Sequence, residues 1–167
     1  QFGNEWIDYS KRYFKFPIAQ TGVYRITYSV FASSLASTGV PTLSPGQLQI
    51  FARGKEVPIY VNDVNQNGVF DYGDYIEFFA KSNDAWLDTA VYYNSVPPNK
   101  NVSLFSDTIF YFLTWSPNTN NKRLVLETDR NFAGYTVEPY VLYTSRNDYF
   151  STYYDGETDQ FGITDPR

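Results

Sequence analysis

Short runs of apolar and β-branched residues, separated by clusters of Gly, Pro, Asn and Ser, follow one another through most of the chain. Several runs alternate polar and apolar positions, the period of two that a half-buried strand shows. The sequence therefore predicts strands at 13–18, 23–28, 47–51, 57–61, 75–80, 90–93, 107–115 and 123–128. The run 107–115 is the strongest of them and is predicted to be central in a sheet.

Local signals refine this pattern. The turn cluster at 20–22 predicts a hairpin between the first two strands. Residues 29–38 instead predict one short helix, because Ser29 can cap its start and Gly39 gives a stop. Pro58 lacks an amide hydrogen, so its strand is expected at a sheet edge or a bulge.

About eight strands at short spacing predict an all-β fold, a jelly-roll-like β-sandwich with one short helix. The composition agrees, because Phe, Tyr and Trp make up 20% of the chain and suit pleated, half-buried surfaces. We predict the sandwich domain over residues 1–130. Residues 131–167 are predicted to hold an extra strand at 140–143 and an extended tail or linker toward a downstream domain.

Charge and composition limit the partners and the cellular locations that we expect for this chain. The net charge of −5 and the absence of a basic patch argue against nucleic acid as a partner. No apolar run reaches the roughly 18 residues of a membrane span. The chain has no Met, even at position 1, so we expect it to start after a processing point. A secreted or cell-surface location after signal-peptide removal is the corresponding expectation.

The chain contains no His and no Cys, which excludes Ser-His-Asp and Cys-His catalysis and His- or Cys-based zinc sites within it. The remaining candidates are Glu77, Asp84 and Asp88, since a glycosidase needs two carboxylates across a cleft. Their positions in an alternating strand and a polar loop favour ordinary surface roles instead. We therefore predict no catalytic residues and no enzyme activity.

Residues 63–74 form the most specific motif. Oxygen-bearing side chains stand at positions 1, 3, 5, 9 and 12, with Gly at position 6, which is the spacing of a calcium loop. A predicted strand follows at 75–80, in place of the helix of an EF-hand. The predicted calcium ligands are Asp63, Asn65, Asn67, the carbonyl of Val69, Asp71 and Asp74.

Two residues within the loop have specific expected roles. Gly68 permits the sharp turn, and Phe70 is the apolar residue that would hold the loop against the core. A metal-free interpretation stays open, because Asn67-Gly68 between strands is a strong hairpin signal and Asx side chains stabilise turns without a cation.

Surface aromatic residues offer a second kind of contact. They could stack on sugars, although most aromatic residues of a β-sandwich belong to its core. The candidate glycan or partner contacts are Trp86, Tyr92, Tyr93 and Trp115.

Four pieces of the chain occur in an order that can be compared with known families. They are the aromatic strand and hairpin at 13–26, the short helix before Gly39, the strand pair at 50–58, and the segment 67–79. Together they resemble the N-terminal β-sandwich region of gingipain-like cysteine proteases and of the related sortase of the type IX secretion system of Bacteroidetes. The resemblance covers about residues 8–128.

The resemblance implies a non-catalytic module. In that family the catalytic Cys and His lie in a later caspase-like domain, and this chain has neither residue. It would then be a prodomain-like accessory region that supports folding, latency or presentation of a downstream domain of the same polypeptide, after export. The alternative is a carbohydrate-binding module of a secreted bacterial protein, with polysaccharide as its partner.

Overall fold

A computed structural model describes residues 4–139 of the chain, apart from 38, 87, 93, 94, 96–102, 104, 119, 129, 132, 137 and 138. The chain divides into two compact units, Gln1–Leu126 and Glu127–Arg167. The strands and helices that follow belong to the first unit. The predicted strand at 140–143 and the tail beyond it lie outside the described residues, so the linker role of 131–167 stays a prediction.

Antiparallel strands dominate the described part of the chain. Sheet A has the strand order β1-β7-β3-β4, and sheet B has the order β2-β6-β5. The prediction of an all-β fold with one short α-helix is confirmed. The strands are β1 (Phe14–Ile18), β2 (Gly22–Thr27), β3 (Leu48–Ala52), β4 (Lys55–Val57), β5 (Tyr60–Asn62), β6 (Tyr75–Ala80) and β7 (Ile109–Trp115). Helix α1 covers Tyr28–Ser34, and 3-10 helices cover Pro45–Gln47 and Asp88–Val91.

One hydrophobic core lies between the inner faces of the two sheets. Alternate residues of β6, namely Ile76, Phe78 and Ala80, are fully buried in it. The ring of Phe78 lies 5.9 Å from the rings of Phe16 and Tyr111, which belong to sheet A. The two sheets therefore pack face to face, in the arrangement of a sandwich.

Part of the outer face of sheet A is covered by the N-terminal segment. The ring of Trp6 lies 5.3 Å from that of Phe51 and 5.2 Å from that of Phe112, two residues that are partners across β3 and β7. Tyr13 meets Trp6 edge-on at 5.6 Å. Gly54 has a φ of +73°, and a Cβ there would lie 3.3 Å from the indole, so glycine suits both the turn and the close approach.

The helix predicted at 29–38 exists but is shorter and starts one residue earlier. Thr27 is its N-cap instead of Ser29, and the Thr27 hydroxyl accepts a hydrogen bond from the amide of Val30 at 3.4 Å. Phe31 is the buried residue of the helix and joins the core between the sheets. This residue thus anchors the helix to the core.

The strand predictions hold better than the pairing predictions. The run 107–115 is central as predicted, because β7 lies between β1 and β3. The predicted hairpin at 20–22 is wrong, since β1 pairs with β7 while β2 pairs with β6 in the other sheet. The turn carries the chain from one sheet to the other instead of joining two hydrogen-bonded neighbours.

Three further predictions need correction. The strand at 57–61 is divided into β4 and β5, on either side of Pro58. The described residues of the predicted strand 90–93 begin in a 3-10 helix, and residue 93 itself lies outside the described part. The predicted strand 123–128 is reduced to one parallel bridge between Ile59 and Arg123.

Candidate functional site

The acidic loop, residues 63–74, connects two paired strands as predicted. β5 and β6 run antiparallel, with Asn62 opposite Tyr75 at the base of the loop. Phe70 is only 2% exposed, and its amide donates to the carbonyl of Leu43 at 2.7 Å. Its ring meets those of Tyr28 and Phe31 at 5.5 and 5.7 Å. Phe70 therefore fixes the middle of the loop to the core, which confirms its predicted role.

Asp74 closes the loop from its last position. The side chain is 1% exposed, and its two oxygens accept hydrogen bonds from the amides of Val64 and Asp71, both at 2.9 Å. The Asp74 carbonyl accepts from the amide of Tyr28, the first residue of α1, also at 2.9 Å. One residue thus joins the two ends of the loop to each other and to the helix.

The exposed half of the loop is a set of Asx turns. Asp63 accepts from the amides of Asn67 and Gly68, at 3.2 and 2.8 Å. The Asn65 side-chain oxygen accepts from the amide of Asn67 at 3.2 Å, and that of Asn67 accepts from Val69 at 2.7 Å. Gly68 has a φ of +76°, a conformation that glycine adopts without strain, as the prediction of a sharp turn requires.

The Asp71 carboxylate accepts hydrogen bonds from the side chains of both asparagines of the loop. Its carboxylate oxygens accept from the side-chain amides of Asn65 at 3.1 Å and Asn67 at 2.7 Å. The five predicted side-chain ligands and the main chain of Val69 therefore lie in one hydrogen-bonded loop.

The chemistry of this donor set fits calcium in kind and number. Three carboxylates, two amide oxygens and the Val69 carbonyl make six oxygens, the lower end of the six to eight that calcium takes. In the described part of the chain, no group of three or more His, Cys, Asp or Glu side chains is placed to hold a metal. A calcium site here would therefore depend on Asn65, Asn67 and the carbonyl as well as the carboxylates. The Asx turns show that the loop also closes by hydrogen bonds alone.

The aromatic candidates lie in different surroundings. Trp86 is 43% exposed, and the guanidinium of Arg53 lies over its ring at 5.3 Å. Tyr92 is half-buried, with its ring 6.2 Å from that of Phe105. Tyr93 lies outside the described residues. Trp86 and Tyr92 thus have partners of their own, and no ring contact joins these two described residues.

Trp115 lies at the end of β7 and is half-buried. Its ring stacks on Phe14 at 6.0 Å and meets Phe31 edge-on at the same distance. It also lines an open cavity of about 710 Å³, together with Lys11 and Arg12. Its walls come from three separate stretches of the chain, so no local sequence motif indicates this cavity.

The carboxylates considered for glycoside hydrolysis are held by other groups. Glu77 forms an ion pair with Arg25 at 2.6 Å, and Asp84 forms one with Arg53 at 2.9 Å. Burial raises the pKa of Asp84, but the hydrogen bond and charge of Arg53 outweigh it and leave that pKa below the ordinary 3.8. A glycosidase acid needs a raised pKa instead. Asp88 is buried, and its Oδ2 has no hydrogen-bond partner among the described residues.

Comparisons with protein-family profiles, with characterised proteins and with solved structures find no match to this chain. None of the helices in the described part is long and apolar enough to cross a membrane.

Proposed function

We propose that this chain is the non-catalytic, prodomain-like N-terminal module of an exported gingipain-like protease, where it supports folding, latency or presentation of the protease domain. The observation that carries the proposal is the segment 67–79, the most specific part of the family resemblance. In the fold this segment comprises most of the acidic loop and the central strand of sheet B.

The other three pieces of the resemblance fall on consecutive parts of the same unit. They correspond to β1 and β2, which lie in different sheets and form no hairpin, to α1, and to the antiparallel pair of β3 and β4. A chain without Cys or His cannot itself supply the thiolate and imidazole of a cysteine protease. In this proposal the downstream domain supplies both, and it is the partner of the module.

The proposal assigns the acidic loop a stabilising role. An EF-hand sensor uses helices to convert calcium binding into movement. Here the loop joins β5 to β6 and is anchored to α1 through Asp74, so a bound ion would strengthen an existing connection. Asp63, Asn65, Asn67, Val69, Asp71 and Asp74 would hold it.

A refolding experiment in trans tests the accessory role. The region encoded downstream of this chain is denatured and refolded alone, with this chain, or with an unrelated β-sandwich of similar size. We expect only this chain to raise the yield of folded downstream domain or to suppress its proteolytic activity. A downstream region without a Cys/His domain, or equal yield and activity in all three samples, would contradict the proposal.

A further inference from the structure

Strand β2 forms an edge of sheet B that lacks the usual protection against pairing with another chain. In the described part of the chain, sheet A ends in β1, which contains Pro17, and in β4, which has three residues. Sheet B ends in β5, also of three residues, and in β2, which has six and no Pro. Short strands and Pro protect edges, because unpaired main-chain groups otherwise bind a further strand. The edge of β2 is therefore open to strand addition.

The charge of β2 does not protect this edge either. Arg25 is the only charged residue of the strand. Its guanidinium forms an ion pair at 2.6 Å with Glu77, the residue opposite it on β6. The side chain thus reaches across the sheet toward β6, away from the open edge.

An apolar cavity of about 400 Å³ lies next to this edge. Its walls include Phe14 and Phe16 of β1, Ile26 of β2 and Phe31 of α1. Phe14, Phe16 and Ile26 pack against the core but are only half-buried. The volume lies within the range of ligand pockets, so the cavity has room for apolar side chains.

A strand added to β2 would reach this cavity with every second side chain. Successive side chains of a strand point to opposite faces of the sheet. Tyr24 and Ile26 mark the inner face of β2, where the Tyr24 ring stacks on Phe78, and Val23 marks the outer face with 73% exposure. A partner strand therefore needs apolar residues at alternate positions.

The charges around the cavity favour acidic residues at the intervening positions. Residues 9–55 contain no Asp or Glu, and their basic residues are Lys11, Arg12, Lys15, Arg25, Arg53 and Lys55. Lys15 lines the cavity, and its ammonium lies 3.7 Å from the centre of the Phe110 ring. That contact does not neutralise its charge, and no carboxylate of the described residues forms an ion pair with it. This positive charge attracts an acidic segment.

We propose that β2 and the adjacent cavity form a docking site for an extended segment of a partner protein, in which apolar and acidic residues alternate. The main chain of the segment pairs with the edge of β2, and its apolar side chains enter the cavity. The inference rests on the fold and not on the accessory role, so either proposal can fail while the other stands.

The test is an NMR titration of the full chain with capped peptides of about eight residues. The first peptide alternates Val with Glu. The second replaces Glu by Lys, the third replaces Val by Ala, and the fourth is the first with N-methylated main-chain amides. We expect the Val/Glu peptide to shift the amide signals of β2 and to slow their exchange with solvent. The amides of β5, at the other edge of sheet B, are the internal reference and should not change.

Each control peptide removes one feature of the proposed contact: the charge, the apolar side chains or the main-chain donors. All three should bind at least about tenfold more weakly than the Val/Glu peptide. Lys15→Gln should also weaken binding of that peptide, by about threefold to tenfold, whereas Lys55→Gln on β4 should leave it unchanged. Circular dichroism verifies that both variants are folded.

Several results would overturn the proposal. They are unmoved β2 signals, equal binding of the Val/Glu peptide and any control peptide, and equal effects of Lys15→Gln and Lys55→Gln. Slow exchange at the β2 edge without any peptide would also overturn it, because a second copy or another segment of this chain would then occupy the edge.

Discussion

Asp74 shows how one side chain can organise a loop. Its two carboxylate oxygens satisfy the amides of Val64 and Asp71, which lie on opposite sides of the loop, while the side chain itself is 1% exposed. A buried amide without an acceptor is costly, because it gives up its hydrogen bond to water and gains nothing in return. The closure of the loop thus depends on this carboxylate whether or not a cation is bound.

Substitution of Asp74 is expected to destabilise the fold even in EDTA. Asp74→Ala removes both acceptors and should lower the free energy of unfolding by about 1–3 kcal/mol, as measured by urea denaturation. Asp74→Asn keeps one acceptor oxygen and should cost less. Asp71→Ala is the control, because the amides that its side chain accepts from belong to the exposed Asn65 and Asn67. Equal losses for the two alanine variants would show that Asp74 does not close the loop.

Only a candidate site whose residues are consecutive in the sequence could be predicted from it. The acidic loop is a run of consecutive residues, so its spacing alone indicated the roles of Gly68 and Phe70. The direction of the Asn65 and Asn67 amides toward Asp71 was not predictable, because spacing does not tell which side-chain atom points inward. The cavity beside Trp115 could not be predicted from the sequence, because its walls meet only in the folded chain.

At the scale of elements, β6 shows how a strand places one of its faces in the core and the other in solvent. Phe78 and Phe79 are consecutive and chemically identical, yet Phe78 is fully buried and Phe79 is 49% exposed. The pleat of the strand sends them to opposite faces of sheet B. Their unequal burial makes them a matched pair for a stability measurement.

We expect Phe78→Ala to lower the free energy of unfolding by about 3–5 kcal/mol, because it leaves a cavity between the two sheets. Phe79→Ala should cost less than about 1 kcal/mol, as is usual for a surface substitution. Chemical denaturation of both variants in one buffer measures the difference. If the two losses are similar, or if the order is reversed, the assigned facing of β6 is wrong.

Strand positions were largely predictable, whereas strand partners were not. The composition and alternation of 75–80 and 107–115 depend on the residues themselves, and both runs are strands. The pairing of β1 with β7 depends on which faces must be buried together, so the local turn at 20–22 was misleading. The predicted strand at 123–128 failed because its apolar residues lie in solvent, with Val125 at 89% exposure.

At the scale of the whole molecule, the acidic loop contacts several parts of the fold. It joins two strands of sheet B, contacts α1 through Phe70 and Asp74, and hydrogen-bonds to Leu43 in the connection between α1 and β3. A ligand that binds the folded loop and not the unfolded chain stabilises the entire fold by mass action. A calcium effect should therefore appear in global unfolding.

We expect calcium to raise the melting temperature of the chain relative to EDTA. At a calcium concentration about 100 times the dissociation constant, the gain is about 2.7 kcal/mol, or roughly 5–10 °C for a domain of this size. Differential scanning calorimetry measures the shift. Magnesium should give a smaller one, because it requires a more regular shell of ligands.

Two charge-removing variants locate the effect. Asp71→Asn should abolish the calcium shift, whereas Asp84→Asn removes a carboxylate outside the loop and should preserve it. Identical melting curves in calcium and in EDTA would eliminate the calcium interpretation and leave the metal-free turn. The accessory role would be unaffected by that result.

The pairing of β1 with β7 also determines when the fold can form. Phe14 lies opposite Leu113, and the Thr114 hydroxyl donates a hydrogen bond to the carbonyl of Arg12. Sheet A therefore pairs the first strand of the described chain with its last strand. During synthesis β1 and β3 have no common neighbour until β7 has left the ribosome. Contacts this distant in sequence slow folding, because a long loop must close first. If the chain is exported as proposed, slow formation of sheet A would leave it unfolded for longer, and an unfolded chain is what a narrow export channel can pass.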